Sequence, residues 1–327
     1  MEFSLINLHA KATESITGQQ QMKQTDKAIL YACAAVLSWS TVATAFKKSL
    51  EHISHFELVL VSCVTSLLIF AILMTIQRKW SLLKGLSGKD WGYFALLGLL
   101  NPVAYYLVLF KSYDLLPAQV AQPINYAWPI VLVVLLAIFT KQPIQPKKYI
   151  GMAISLGGVA MISLGGGQAL GSKLPVGGLL LAALSAFLWA SYWVVNNKNK
   201  ERFDASLALF MTFLFGSIYM GAGALFVGVD LNTVPGLLWG SYVGAFEMGF
   251  PFIFFGMAMR KTDNPTLINQ LTYLSPFMSL FIISIVLGEK IVPTTVGGLV
   301  LIVFGIIFNE YFVKTKASIL GHRNKAC

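Results

Sequence analysis

Two stretches of this sequence place amides, a tyrosine and a proline at matching intervals within otherwise apolar surroundings. They read QVAQPINYAWP (119–129) and TLINQLTYLSP (266–276). Steps of three, four and three positions separate four marked residues in each: Gln119, Gln122, Tyr126 and Pro129, then Thr266, Asn269, Tyr273 and Pro276. This spacing puts each set on one face of a helix. Such a face could hydrogen-bond a polar ligand.

Glu247 is the acidic residue with the most apolar surroundings. It lies inside YVGAFEMGFPFIFFGMAM (242–259), whereas the other thirteen of the fourteen acidic residues lie in tails, loops or close to the ends of apolar runs. A carboxyl at membrane depth must be neutral, paired or facing water. We interpret Glu247 as facing a polar cavity, either as a proton-coupling group or as the acceptor for a substrate amine. The alternative is a protonated Glu247 that bonds a neighbouring helix.

The composition is that of an integral membrane protein. The chain is 56% hydrophobic and 12% charged, with a mean hydropathy of +0.70, against about 25% charged for a soluble domain. Apolar runs long enough to span a bilayer recur ten times, near 27–46, 56–76, 91–111, 118–139, 148–164, 176–196, 205–228, 236–259, 266–286 and 292–312. The net charge of +10 is expected to set orientation in the membrane, and no nucleic-acid partner is expected.

The basic residues predict that both termini are cytoplasmic. Of the 24 Lys and Arg residues, nineteen lie in the tails and in the loops on the same side as the tails. The five on the opposite side are Lys47, Lys48, Lys111, Lys173 and Lys290. Cytoplasmic loops carry the excess of positive charge in membrane proteins. Residues 1–26 are expected to form a polar, disordered tail, with Met22 as an alternative start, and 313–327 a basic cytoplasmic tail.

An internal repeat relates the two halves of the chain. The two marked stretches align at an offset of 147 residues, and at the same offset GMAISLGG (151–158) lies over GLVLIVFG (298–305). We therefore expect five-helix units at 27–164 and 175–312, joined by a glycine-rich linker at 165–174. Because five is odd, the second unit must enter the membrane in the opposite sense. The predicted fold is an all-α membrane protein with ten transmembrane helices in two inverted five-helix repeats, an architecture typical of secondary transporters.

The residues that are hardest to tolerate in lipid converge on the midplane, where such transporters bind substrate. Pro129 and Pro276 are expected to break their helices and assist gating. A further polar stripe, Ser185, Trp189, Tyr192 and Asn196, follows the sixth span. The candidate substrate-binding residues from this reasoning are Trp39, Asn101, Gln122, Asn125, Tyr126, Trp189, Tyr192, Glu247, Asn269 and Tyr273. The competing explanation is that these groups only bond one helix to another, at about 0.6 kcal/mol each.

These features resemble the EamA-type branch of the drug/metabolite transporter superfamily. The pattern that carries the resemblance comprises Pro276, Leu287, Gly288, Glu289, Gly297, Gly298 and Gly305. INYAWPIVLVVLLAIF and FLWASYWVVNNKNKERFD are similar to stretches of bacterial aromatic amino-acid exporters in that family. The resemblance implies a central cavity, alternating access and efflux of amino acids or related metabolites. It matches Asn125, Tyr126, Trp128 and Pro129 in the fourth span and Trp189 with Tyr192 in the sixth, and it adds Trp128 to the candidates. Glu247 departs from the exporter pattern.

The sequence thus predicts a secondary transporter of the inner membrane that exports small metabolites, foremost amino acids, including aromatic ones. Proton-coupled efflux of cationic drugs or other amines through Glu247 is the alternative. A channel and an intramembrane enzyme are more remote, since there is no continuous polar ring and no paired carboxylate or nucleophile with a base at depth. Neither cofactor nor metal is expected, because the three cysteines lack ligand spacing and no phosphate-binding loop is present. We also expect Glu289 to cap the tenth helix. The oligomeric state stays open.

The charge distribution makes a testable prediction about topology. A reporter fused after Lys325 should be active only in a form that works in the cytoplasm, and one inserted within 230–234 only in an external form. Paired fusions of alkaline phosphatase and a fluorescent protein measure both positions. If both insertions report the same side of the membrane, the inverted repeat is wrong.

Overall fold

The computed structural model describes the backbone of residues 2–141, 144–169, 173–197, 201–262 and 265–311. Side chains are described within 24–139, 141, 144–165, 173–196, 201–262 and 267–310. Residues 170–172 of the predicted linker 165–174, the tail 313–327 and the side chain of Thr266 therefore lie outside the described residues, whereas residues 165–169 continue the fifth helix. The first helix is continuous over Glu2–Leu50, and the side chains before residue 24 lie outside the description. The predicted disorder of residues 1–26 stays a prediction.

Within the described residues, ten helices are long and apolar enough to cross a membrane, as predicted. In chain order they are α1 (Gln24–Leu50), α2 (His55–Ile76), α3 (Gly88–Leu115), α4 (Ala118–Phe139), α5 (Pro146–Gly165), α6 (Val176–Asn196), α7 (Ala205–Val227), α8 (Val234–Lys261), α9 (Leu267–Leu287) and α10 (Pro293–Glu310). A short 3₁₀ helix, Trp80–Gly85, joins α2 to α3. The chain is a multi-pass, all-helical membrane protein within the described ranges. We call the membrane side on which α1 begins the near side and the opposite side the far side.

Polar residues at the membrane surface define where helices begin. Ser54 and Glu57 form a capping box at the start of α2, and the Asp204 carboxylate accepts backbone N–H bonds at the start of α7. The Lys79 ammonium lies 2.7 Å from Asp204 and ties the end of α2 to α7. Burial raises the pKa of Asp204, but the bonds from Lys79 and from the helix amides outweigh burial and hold that pKa below its ordinary value. The cap is therefore charged at neutral pH.

Two helices contain a π-helical turn at equivalent positions in the two halves. The turn is Leu99–Ala104 in α3 and Gly244–Gly249 in α8, and the second contains Glu247. Asn101 within the first turn has φ −146° and ψ 120°, which is extended backbone. A π-turn inserts one residue into the helix and frees backbone groups from the regular ladder. Both turns therefore loosen long helices near the middle of the membrane.

The helices α4 and α9 are each broken near mid-span, again at equivalent positions. The first break separates Ala118–Asn125 from Trp128–Thr140, and the second separates Pro265–Thr272 from Leu274–Leu287. Pro129 and Pro276 each lie a few residues beyond the break. A proline has no backbone N–H and crowds the carbonyl four residues earlier. Both helices are thus interrupted close to these prolines, and the role of Pro129 and Pro276 in helix breaking and gating stays a prediction.

The closest helix pair, α5 with α10, joins the two halves through glycines. A Cβ atom placed on Gly158 would lie 2.5 Å from the carbonyl oxygen of Gly298, and one on Gly305 would collide with the carbonyl of Gly151. Beside them the Ser155 hydroxyl donates to the carbonyl of Ile302 at 3.0 Å. Backbones approach this closely only where side chains are absent. The 147-residue repeat places Gly151 over Gly298 and Gly158 over Gly305.

The contact between α5 and α10 predicts a strong asymmetry between two adjacent glycines. Gly158→Ala should lower the unfolding temperature in detergent by several degrees, because overpacking against the Gly298 backbone costs about 1–3 kcal/mol. Gly157→Ala is the matched control, since nothing lies within 4 Å of a Cβ atom there. Thermal unfolding followed by intrinsic fluorescence measures both variants. Equal unfolding temperatures for the two would contradict the packing described.

Candidate functional site

A large cavity lies between the two halves. Its volume is about 870 Å³, within the range of roughly 300–1,000 Å³ typical of small-molecule sites. Every membrane helix except α2 contributes to its lining, so that both repeats form the wall. Within the described ranges, no group of three or more His, Cys, Asp or Glu side chains is placed to hold a metal ion. The cavity can therefore accept an organic molecule of metabolite size.

Most of the residues singled out from sequence lie on this wall. The lining includes Trp39, Gln122, Asn125, Tyr126, Trp128, Pro129, Trp189, Tyr192, Glu247, Asn269 and Tyr273. Their assignment as substrate-binding residues stays a prediction. The structure nevertheless brings together six of these residues from the first half and five from the second, although they are up to 234 residues apart in the chain.

Asn101 and Pro276 were expected at the cavity, but the structure places both elsewhere. Asn101 is fully buried in the π-turn of α3 and does not line the cavity, because its extended backbone directs this segment against α7, where Pro102 contacts Gly216. Pro276 is buried within α9, one turn beyond the break. Neither side chain can touch a molecule inside the cavity in this conformation.

Glu247 presents a carboxyl to the cavity. The Tyr106 hydroxyl donates to Glu247 Oε1 at 3.1 Å, and the indole N–H of Trp39 donates to the backbone carbonyl of Glu247 at 3.3 Å. Among the described side chains, no Lys or Arg lies within 4 Å of this carboxyl. A carboxyl held by one neutral donor retains acceptor capacity. It can therefore hold a proton or bind an ammonium group supplied from the cavity.

An aromatic cluster surrounds Trp189 on the same wall. The ring centroids of five neighbours lie between 4.7 and 6.5 Å from that of Trp189, in tilted, stacked and edge-on arrangements: Tyr105, Trp128, Tyr192, Trp193 and Phe252. Aromatic faces stack on flat apolar groups and attract cations. The cluster is therefore suited to an apolar or aromatic substrate body beside an amine.

The amides on the wall differ in what they already bind. Asn125 donates to the Ser185 hydroxyl at 2.8 Å and accepts from Tyr105 at 3.3 Å, so its amide is engaged within the protein. Gln122 Oε1 and the indole Nε1 of Trp193 are buried without a hydrogen-bond partner. A buried polar atom without a partner costs about 1–3 kcal/mol. Gln122 and Trp193 therefore offer one acceptor and one donor to a ligand.

The cavity opens toward the near side. Its lining reaches Tyr93 in the first turns of α3, Lys148 at the start of α5, Asn196 at the end of α6 and Glu310 at the end of α10. All four positions lie where these helices meet the near surface. We call this opening of the cavity the mouth.

Polar contacts close the far side. The Lys47 ammonium donates to the carbonyls of Tyr113 and Leu116 at 2.8 and 3.2 Å, at the end of α3. The Glu289 carboxylate accepts from the backbone N–H groups of Ala118 and Gln119 at 3.0 and 3.3 Å, at the start of α4. The connection between α3 and α4 is thus fastened to both halves of the chain.

These contacts correct two expectations drawn from sequence. Glu289 caps α4 and not α10, because the loop after α9 lies over the free N–H groups that begin α4, where a carboxylate is favoured. Gln119 does not face the cavity. Its side chain donates to the carbonyl of Lys290 and accepts from the N–H of Val292. Gln119 also accepts from the Thr295 hydroxyl of α10 at 3.4 Å, which agrees with the competing explanation that such groups bond one helix to another.

Several lining residues escaped the sequence reasoning. The set comprises Tyr93, Tyr105, Lys148, Trp193, Asn309 and Glu310, with Tyr106 behind Glu247. Trp193 follows Trp189 by four residues, so its spacing could have identified it. Asn309 and Glu310 sit at the end of an apolar run, where charge usually marks only the membrane surface.

Comparison with known proteins agrees with this architecture. The sequence profile of the EamA-like transporter family matches residues 26–164 and 176–311. The uncharacterized transporter YvbV of Bacillus subtilis (strain 168) is 25% identical over 246 residues, which cover 73% of this chain and 78% of that protein. The aromatic amino acid exporter YddG of Salmonella typhimurium (strain 14028s / SGSC 2262) is 25% identical over 195 residues, covering 56% and 63%. A crystal structure of a protein 20% identical to this chain has the same fold, with a TM-score of 0.62 over 92% of this chain and 99% of that one.

The far-side contacts predict an effect of Glu289. Glu289→Gln keeps the shape but loses the charge on the N-terminus of α4, a contact worth about 0.3–1 kcal/mol or more when partly buried. A single cysteine placed at Leu116, in a chain free of its own cysteines, should then react several-fold faster with a membrane-impermeant maleimide. Glu51→Gln is the control, because Glu51 lies on the same surface and its carboxylate pairs with Lys48 alone among the described residues. Unchanged labelling in Glu289→Gln would show that Glu289 does not hold the far side closed.

Proposed function

This chain belongs to the EamA-like transporter family, and we propose that it exports amino acids, or closely related amines, across the inner membrane. The observation that carries the proposal is the carboxyl of Glu247 on the wall of a cavity lined by aromatic rings and open on one side. A secondary transporter needs such a midplane site between its two repeats. The protein is a transporter by family, and the substrate is the part that we infer.

The chemistry of the wall supports a substrate with an ammonium group and an apolar body. A carboxylate binds an ammonium through charge-assisted hydrogen bonds, and the rings around Trp189 can stack on the side chain that the ammonium carries. Gln122 Oε1 and Trp193 Nε1 supply one further acceptor and one donor. The similarity to an exporter named for aromatic amino acids points the same way.

The excess of basic residues assigns the near side, and with it both termini, to the cytoplasm. On that assignment the cavity is open to the cytoplasm and closed to the outside, so substrate is loaded from within the cell. Export then requires release of the contacts that Lys47 and Glu289 make at the far side, together with closure of the mouth. The broken helices at Pro129 and Pro276 and the two π-turns are the hinges that we assign to this movement.

A second candidate function is proton-coupled efflux of cationic drugs or other amines. The observation that favours it is that Glu247 has a hydroxyl donor, Tyr106, but no described cation within 4 Å. Such a carboxyl can be protonated when the cavity is empty and can lose its proton to an arriving cation. Proton and substrate would then compete for one group.

One variant distinguishes two roles of Glu247, proton coupling alone and binding of the substrate ammonium. Glu247→Gln keeps the shape and most hydrogen bonding but cannot titrate. If Glu247 only couples protons, counterflow of labelled phenylalanine in proteoliposomes should continue while accumulation driven by a pH gradient is lost. If Glu247 binds the ammonium, both should fall about tenfold to a hundredfold, because a hydrogen bond to a charged group contributes about 1.5–3 kcal/mol.

Asp114→Asn is the control for this experiment, since Asp114 is exposed on the far side and pairs with Lys111. It should leave both activities unchanged. Full activity of Glu247→Gln in both assays would remove Glu247 from the site. If wild-type protein moves neither amino acids nor amines in a broad radiolabelled panel, the proposed substrate class is wrong.

A further inference from the structure

The mouth of the cavity carries two opposite charges on neighbouring helices. Lys148 lies in the first turn of α5 and Glu310 in the last turn of α10, and both line the cavity. These antiparallel helices form the tight glycine contact described above, so that their near-side ends are adjacent. Among the described side chains no ion pair joins Lys148 to Glu310 within 4 Å. The two charges are therefore close but separate.

A buried amide lies beside these charges. Asn309 is 7% exposed and lines the cavity, and neither Oδ1 nor Nδ2 has a hydrogen-bond partner. A Cβ atom on Gly151 would collide with this amide, so Asn309 lies against the first turns of α5. Buried amides almost always have partners in folded proteins. This amide has one acceptor and two donors available to a bound molecule.

The dipoles of α5 and α10 add to the separation of charge between Lys148 and Glu310. The helix ends act here through their dipoles, since at the start of α5 Pro146 has no backbone N–H and the Lys148 N–H already donates to the carbonyl of Gln145 at 2.8 Å. The partial charges there are positive at the start of α5 and negative at the end of α10. Lys148 and Glu310 have the same signs as the helix ends on which they lie. One edge of the mouth therefore favours an anion and the other a cation.

We propose that Lys148, Asn309 and Glu310 form a second substrate site at the mouth, which binds the zwitterionic head group of an α-amino acid. The amino acid then moves to the site around Glu247 and Trp189, which we call the deeper site. The carboxylate of the substrate lies against Lys148 and the start of α5, and its ammonium lies against Glu310. The Asn309 amide bridges the two. The Tyr273 hydroxyl, which donates to Glu310 at 3.3 Å, orients that carboxylate.

This inference rests on the proposed function and narrows it. The deeper site offers the carboxyl of Glu247 but no described cation within 4 Å, so on its own it does not distinguish an amino acid from the corresponding amine. The mouth supplies the missing positive charge. The mouth is therefore the site that selects zwitterions over simple amines.

The test compares phenylalanine with phenethylamine, which lacks only the carboxylate, as competitors and substrates in counterflow. The full-length protein is reconstituted into vesicles of phosphatidylcholine and phosphatidylglycerol. Lys148→Met should raise the half-saturation concentration for phenylalanine about tenfold, the loss expected for one charge-assisted bond, and leave that for phenethylamine within about twofold. Glu310→Gln should raise both about tenfold. Maximum rates should stay close to wild type, because neither residue touches the deeper site.

Lys147→Met is the matched control, since Lys147 is exposed next to Lys148 and does not line the cavity. It should change neither half-saturation value. Repeating the wild-type assay with phosphatidylethanolamine present tests the other source of a zwitterionic head group. If that lipid competes with phenylalanine in wild type but not in Glu310→Gln, the mouth binds lipid head groups as well as amino acids.

Equal changes for the two substrates in Lys148→Met, or no change in either, would overturn the proposal. If Lys148→Met elutes as an aggregate, Lys148→Gln replaces it in the same comparison. Wild-type protein that transports phenethylamine but not phenylalanine would also overturn the zwitterion site while leaving amine export intact. Transport of neither compound, together with no transport in the broad panel of amino acids and amines, would instead refute the proposed function itself.

Discussion

A polar group inside a bilayer must find its partner within the protein, and this constraint governs the whole structure. Backbone groups satisfy it by forming helices, and the interruptions at the π-turns of α3 and α8 and at the breaks of α4 and α9 fall where the two halves meet. The broken helices line a cavity, so their freed groups can reach water or a bound molecule. The cavity therefore makes the irregular backbone tolerable, because it gives the freed backbone groups access to a partner. The irregular backbone in turn makes the cavity tolerable within the bilayer.

The two repeats share a scaffold but not its chemistry. Both contain a π-turn in the third helix and a break in the fourth, and Tyr126 and Tyr273 cap the breaks at the 147-residue offset. The π-turn of the second half carries Glu247 on the cavity wall, whereas that of the first carries Asn101 buried behind it. The symmetric scaffold can support a movement that closes the cavity on one side of the membrane and opens it on the other. Among the described residues, Glu247 is the one carboxyl at mid-depth, so a bound substrate contacts an asymmetric site.

Sequence alone predicts well what a bilayer imposes directly. Helix length, the proline breaks and the polar stripe through Gln122 and Tyr126 follow from hydropathy and spacing. The sequence could not show that Gln122 lines the cavity and Gln119 does not. Both lie on one helix face, and only the position of the loop after α9 decides which of the two side chains is covered. The π-turns have no propensity signal, so the burial of Asn101 was missed. Asn309 and Glu310 were missed because the end of a span is where polar residues are expected for other reasons.

The glycine contact between α5 and α10 has a consequence for the origin of the chain. Gly151 meets Gly305 and Gly158 meets Gly298, and the repeat exchanges one pair for the other. This reciprocity is the mark of an interface between two copies of the same surface related by a two-fold axis. Two separate five-helix chains, inserted into the membrane in opposite senses, would make the same contact without any linker. The present protein thus retains, within one polypeptide, the interface of a homodimer whose subunits gene duplication and fusion would have joined.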